Sequence, residues 1–102
     1  MAGIGLAGRR NHMNKLEFHA AFYPIEDGWF MAKVLDFPGV VTQGKTLDHA
    51  RRMLRDALRE MVVWNLETGE ALPLPNPKAK DRRACLLEPI RLSVRVQSGV
   101  AP

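Results

Sequence analysis

Apolar and polar positions alternate along the early part of the chain. Leu16, Phe18, Ala20 and Phe22 take one parity, and Glu17, His19, Ala21 and Tyr23 take the other. A period of two predicts a strand whose side chains point alternately to its two faces. Pro24 ends this first strand, and Asp27-Gly28 marks a turn. Alternation resumes with Phe30, Ala32 and Val34 set against Trp29, Met31, Lys33 and Leu35, which predicts a second strand. Phe37-Pro38-Gly39-Val40 suits a type II turn, because Pro38 presets φ at its second position and Gly39 supplies positive φ at its third. Val40 to Gln43 is a short β-branched run, read as a third strand and broken by Gly44-Lys45.

The period then changes. Thr46 suits a helix N-cap, with Asp48 in the first turn at the positive helix end. From Leu47 to Thr68, Leu47, Ala50, Met53, Leu54, Ala57, Leu58, Met61 and Trp64 share one broad face. Arg52, Asp56, Arg59 and Glu60 lie on the other side, Val63 falls near them, and Val62 and Leu66 sit at the margin. Gly69 is suited to the C′ position. Pro73, Pro75 and Pro77 make a stiff connector. Ile90, Leu92, Val94 and Val96 against Arg91, Ser93 and Arg95 predict a fourth strand, with Pro89 at its start or on an edge.

The order β-β-β-α-β defines an α+β domain. The first three strands form an antiparallel meander. A right-handed crossover through the helix brings the fourth strand in parallel beside the first. The expected result is a mixed four-stranded sheet of order 3-2-1-4 with one helix on one face. The domain is expected over residues 13–97, with residues 1–12 a flexible leader and 98–102 a tail. One helix leaves one sheet face uncovered. That face would carry His19, Tyr23, Trp29, Met31, Lys33, Leu35, Arg91 and Arg95, a mixture apolar enough to expect a partner or a second copy on it. Val63 is a further candidate contact on the helix.

Composition narrows the chemistry. The 102 residues suffice for one modest core, and 46% hydrophobic content points to a folded domain. A net charge of +4 permits contact with nucleic acid without requiring it. Lys78, Lys80, Arg82 and Arg83, opposed only by Asp81, are the candidate phosphate contacts. The lone cysteine, Cys85, excludes an internal disulfide, is read as a small buried side chain, and suits a cytoplasmic setting. No apolar run approaches the ~20 residues that span a bilayer. His12, His19 and His49 lack ligand spacing, so no metal site is expected. No phosphate-cradling loop or nucleophile elbow is present, so no cofactor and no catalytic residue are named. Glu17, Asp48, Asp56 and Glu88 are the only carboxylates placed at all like those of a two-metal nuclease, and Asp36 is read as a turn residue.

Several segments resemble the HicB-type antitoxins and their HicB-like (UPF0150) relatives. They are Glu26-Asp27-Gly28, Trp29-Phe30, Leu35-Asp36-Phe37-Pro38-Gly39, Thr42-Gln43-Gly44 with Thr46-Leu47 and Ala50, Gly69 to Pro75, and Pro89 to Val94. The resemblance implies a truncated RNase H-like β-β-β-α-β domain without nuclease activity. It implies binding and neutralisation of a HicA-type mRNA-cleaving toxin, and a homo-oligomer, dimer or tetramer. Full-length members usually add a C-terminal DNA-binding domain. This sequence stops soon after strand four, so direct operator binding is not expected. The alternative reading is a stand-alone oligomeric RNA-binding module, and a residual RNase H-like nuclease ranks third.

Overall fold

A computed structural model describes residues 12–96. The expected leader, apart from His12, and the tail beyond residue 97 lie outside the described residues. Strand β1 (His12–Pro24) runs into a short 3₁₀ turn (Glu26–Gly28), then β2 (Phe30–Val34), β3 (Val41–Gly44), helix α1 (Leu47–Thr68) and β4 (Leu86–Val96). The sheet order is β3-β2-β1-β4, as the sequence predicts.

The turn chemistry is also as expected. Asp27 and Gly28 both have positive φ, which closes the β1–β2 hairpin. Gly39 has φ +92 with Val40 N–H donating to Phe37 O. Thr46 Oγ1 accepts from His49 N–H at 3.0 Å, and Gly69 ends the helix in the left-handed region.

β4 departs from expectation. It pairs with β1 antiparallel, from His12↔Val96 to Phe22↔Leu86, so every pairing in the sheet is antiparallel. The reason lies in the connector. α1 is 22 residues long, or about 33 Å, and it carries the chain away from the end of β3. Residues 69–85, extended at about 3 Å each, are long enough to return the whole way. β4 therefore starts at the end of the sheet where β3 finished, and runs back.

The return path covers the second face. Asn76 N–H donates to the Asp36 carboxylate, the Tyr23 hydroxyl donates to Asp81, and Cys85 N–H donates to Phe22 O. Ala21 is fully buried although it points away from the helix-side core. The fold thus has three layers: helix, sheet and strap. Cys85, expected inside, is exposed at the end of the strap.

The main core joins Phe18, Ala20, Phe22, Ala32, Val34, Phe37 and Val40 to Ala50, Leu54, Leu58 and Val62, with Ile90 and Leu92. Phe18 and Phe37 meet edge to face at 5.4 Å. The buried line of α1 differs from the expected face at its far end. It runs Ala50, Leu54, Leu58, Val62, Asn65, while Met53 and Trp64 are exposed. Contact follows the i±4n ridge, which winds round the helix, so Val62 and Asn65 replace Trp64 in the last turns. Buried Asn65 fastens the start of the strap. Its Nδ2 donates to Ala71 O, and its carbonyl accepts from the N–H groups of Gly69 and Glu70.

Gly44 shows why its position demands glycine. A Cβ there would overlap the backbone N of Ala50 and lie 2.8 Å from its Cα. The first turn of α1 thus rests directly on β3. Gly44→Ala should destabilise the fold by about 1–3 kcal/mol, read as a lower urea midpoint with an unchanged m-value. An unchanged midpoint would show that the helix can move off β3 without cost.

Candidate functional site

The second sheet face is where the sequence placed a partner. The geometry there is set by two carboxylates. Asp36 is buried at the mouth of the β2–β3 turn. It accepts from His19 N–H at 2.8 Å, from His19 Nδ1 at 2.8 Å and from Asn76 N–H at 2.8 Å. Burial raises its pKa, but the Asn76 N–H, the His19 ring and the His19 N–H together hold it below its ordinary value. An ionised carboxylate can only accept, so Nδ1 of His19 carries the hydrogen. Asp36 is therefore far more than a turn residue. Nothing local in the sequence marks it, because its donors lie 17 and 40 residues away.

Asp81 anchors the other end of the strap. It accepts from the Tyr23 hydroxyl at 2.7 Å and from Arg83 N–H at 3.0 Å. These bonds hold the Asp81 carboxyl well below the usual range. Burial first, and then the Asp81 bond and charge, push the Tyr23 phenol up to about 12. Lys33 Nζ lies over the Tyr23 ring at 5.3 Å.

The residues named from the sequence divide into groups. His19 and Tyr23 are bonded to carboxylates beneath or beside the strap. Met31, Lys33 and Leu35 are half-buried on the same face, and Trp29 stands at its corner with Lys45 Nζ 5.9 Å from its ring. An open concavity at that corner is lined by Ile25, Glu26, Asp27, Trp29 and Gln43. Val63 does not join them, because it is exposed on α1 across the sheet. Lys78, Lys80 and Arg82 are exposed on the strap beside Tyr23, whereas Arg83 is paired with Asp81.

The other carboxylates are ion-pair partners. Glu17 binds Arg91, and Arg51 bridges Asp48 and Glu88. Asp56 is exposed. Among the described residues no three His, Cys, Asp or Glu side chains converge as a metal site, and no helix is long and apolar enough to cross a membrane.

Three comparisons bear on this architecture. A family model described as UPF0150-like matches residues 16–73, more than half of the chain. Antitoxin HicB 1 of Photorhabdus laumondii is 30% identical over 69 residues, which is 68% of this chain and 44% of that protein. Antitoxin HicB of Escherichia coli K12 is 31% identical over 62 residues, 61% of this chain and 45% of that protein. The chain thus spans less than half the length of these relatives. The crystal structure of the N-terminal domain of Burkholderia pseudomallei antitoxin HicB superposes with a TM-score of 0.59 at 26% identity, covering 80% of this chain and 99% of that domain.

Two measurements test the anchors. Tyr23 is the only tyrosine, so its ionisation can be followed directly by ultraviolet absorbance. The midpoint should lie near pH 12, and Asp81→Ala should lower it while leaving part of the rise, because burial remains. A raised folded pKa favours the folded state fully below the unfolded value near 10, and that stability is lost as pH rises through about 12. Asp36 has the opposite sign. Its folded pKa is depressed, so its contribution is full above about pH 4 and fades as pH falls further. Asp36→Ala should cost about 2–4 kcal/mol at pH 7, with a flatter loss of stability on acidification. Parallel acid profiles for the two proteins would refute the assignment.

Proposed function

The chain belongs to the UPF0150-like family, and on that premise we propose that it is a non-enzymatic antitoxin-type protein that binds and neutralises a HicA-type toxin. One observation carries the reading. Its β-β-β-α-β domain covers 99% of the N-terminal domain of a HicB antitoxin, at 26% identity and a TM-score of 0.59. The pairing of acidic groups with arginines supports a binding role, since Glu17, Asp48 and Glu88 are all engaged in ion pairs. The proposed setting is cytoplasmic, with no part played by a metal or a cofactor.

The corner concavity is the proposed contact for the toxin. Trp29 and Ile25 supply an apolar floor, and Glu26 and Asp27 supply carboxylates at its rim. An aromatic anchor ringed by charge is a common form of interface hot spot. A basic side chain of the toxin would find both charge and a stacking surface there.

Co-expression tests this. The chain should restore growth to cells expressing a HicA-type toxin from the same organism, and should co-purify with that toxin. Trp29→Ala should weaken the complex about tenfold or more. Failure of the intact chain to bind the toxin would sink the proposal, and full binding by Trp29→Ala would move the contact elsewhere.

A second reading, RNA binding, is favoured by the strap, which sets exposed Lys78, Lys80 and Arg82 beside Tyr23. It predicts affinity for single-stranded RNA that falls steeply with salt. Binding that is absent, or indifferent to salt, would reject it.

A further inference from the structure

Unneutralised charge gathers on the second face of the sheet and at its corner. Lys33, Lys45, Lys78, Lys80 and Arg82 form no ion pair among the described residues. Lys33 Nζ stands 5.3 Å from the centre of the Tyr23 ring, and Lys45 Nζ stands 5.9 Å from that of Trp29. Lys78, Lys80 and Arg82 are exposed on the strap, whose Asp81 holds the Tyr23 hydroxyl. Glu26 and Asp27 are likewise unpaired among the described residues, and both line the corner concavity. The cations are spread along a path, whereas the carboxylates meet at one point.

The register relates path and point. Tyr23, Met31 and Gln43 stand in one row across β1, β2 and β3, so their side chains share a face. Neighbouring strands lie about 4.8 Å apart, which puts Gln43 about 10 Å from Tyr23. Trp29 precedes Met31 by two residues, about 7 Å along the strand and on the same face. Strap and corner are therefore close enough for one short single strand to touch both. Single-stranded nucleic acid is held in this way, with cations along its phosphates and aromatic rings against its bases.

The corner has the donor and acceptor pattern of a base reader. Its carboxylates sit on a closed turn. Ile25 N–H donates to Trp29 O at 2.9 Å, Trp29 N–H donates to Glu26 O at 3.2 Å, and Asp27 takes positive φ. Trp29 and Ile25 give an apolar wall, and Gln43 adds an amide. The concavity, about 530 Å³, has the size of a small-ligand site. An ionised carboxylate only accepts, and it binds most strongly where two parallel donors meet its two oxygens. Among the four RNA bases guanine alone presents two adjacent donors, N1–H and the N2 amino group, on its Watson–Crick edge. Beside them is the O6 acceptor, which matches the amide N–H of Gln43. Adenine and cytosine each set one amino group beside an acceptor nitrogen, which would meet the carboxylate lone pair to lone pair. Uracil sets a single N–H between two carbonyls.

We propose that this face binds single-stranded RNA and reads one guanine in the Trp29 corner. The guanine stacks on the indole, the carboxylate of Glu26 or Asp27 accepts its N1–H and N2–H, and Gln43 donates to O6. Lys33, Lys78, Lys80 and Arg82 meet the flanking phosphates, and Lys45 meets the phosphate nearest the corner. The two carboxylates repel phosphate, so the corner takes a base and not the backbone. Guanine reading presupposes the RNA binding proposed above and adds a base preference to it. The corner is also the proposed toxin contact, so RNA and toxin exclude one another there.

Oligouridines of about nine nucleotides, with one central guanosine, adenosine or inosine, supply the test. Their binding to the intact chain is followed by fluorescence anisotropy at low salt. The guanosine RNA should bind at least about tenfold tighter than the adenosine RNA. Inosine lacks the N2 amino group and should lose most of that preference. Glu26 and Asp27 are both exposed, and asparagine tolerates positive φ, so Glu26→Gln with Asp27→Asn keeps the turn. That double variant should bring the guanosine and adenosine affinities together. Lys78→Ala with Lys80→Ala should weaken both RNAs alike and flatten the salt dependence, with the base preference retained. Salt-dependent binding that ignores the central base would leave the RNA reading in place and overturn the guanine site. So would a preference that survives the double carboxylate variant. No binding to any of these RNAs would overturn both.

Discussion

Asp36 sits where the middle of β1, the β2–β3 turn and the strap meet, and its carboxylate accepts three hydrogens at 2.8 Å from His19 and Asn76. The first bond replaces a ladder bond that β2 can no longer make once the chain turns at Phe37. The second fixes the His19 ring. The third draws residues 69–85 across the sheet. A buried charge is costly unless it is paired and hydrogen-bonded, and these three bonds offset the cost of burying Asp36. With the Asn65–Ala71, Tyr23–Asp81 and Cys85–Phe22 bonds, it holds the strap on the course that delivers β4 to the sheet.

The strap also changes what the second face is. A two-layer reading leaves eight mixed residues open on it. In the three-layer fold, His19 and Tyr23 are engaged with carboxylates, and Ala21 is fully buried. What stays open is the corner at Trp29 and the hairpin loop, together with the basic side chains of the strap itself. The surface available to a partner is smaller than the alternation pattern suggests, and it is more sharply placed.

Much of the architecture was legible because it rests on local rules. The period-two runs place β1 and β2, the Pro38-Gly39 and Asp27-Gly28 turns fix the hairpins, and Thr46 and Gly69 bound the helix. The order 3-2-1-4 follows from short connections. Three features were not legible. The direction of β4 depends on where a long connector goes, and its length allows either end of the sheet. The burial of Asn65 and the exposure of Trp64 depend on which ridge of α1 the sheet receives. Cys85 was read from its apolar neighbours, but it lies at the strap's end, where no second layer covers it.

The sequence by itself determined the elements, their order and the family, since periodicity, caps and turn residues act within a few positions of one another. The tertiary structure decided the rest: the antiparallel β4, the buried role of Asp36 and the division of the candidate surface. Those depend on contacts between residues from 17 positions apart, His19 and Asp36, to 84 apart, His12 and Val96. A carboxylate in a turn looks the same in sequence whether its partners are water or two distant backbone amides, and only packing distinguishes them.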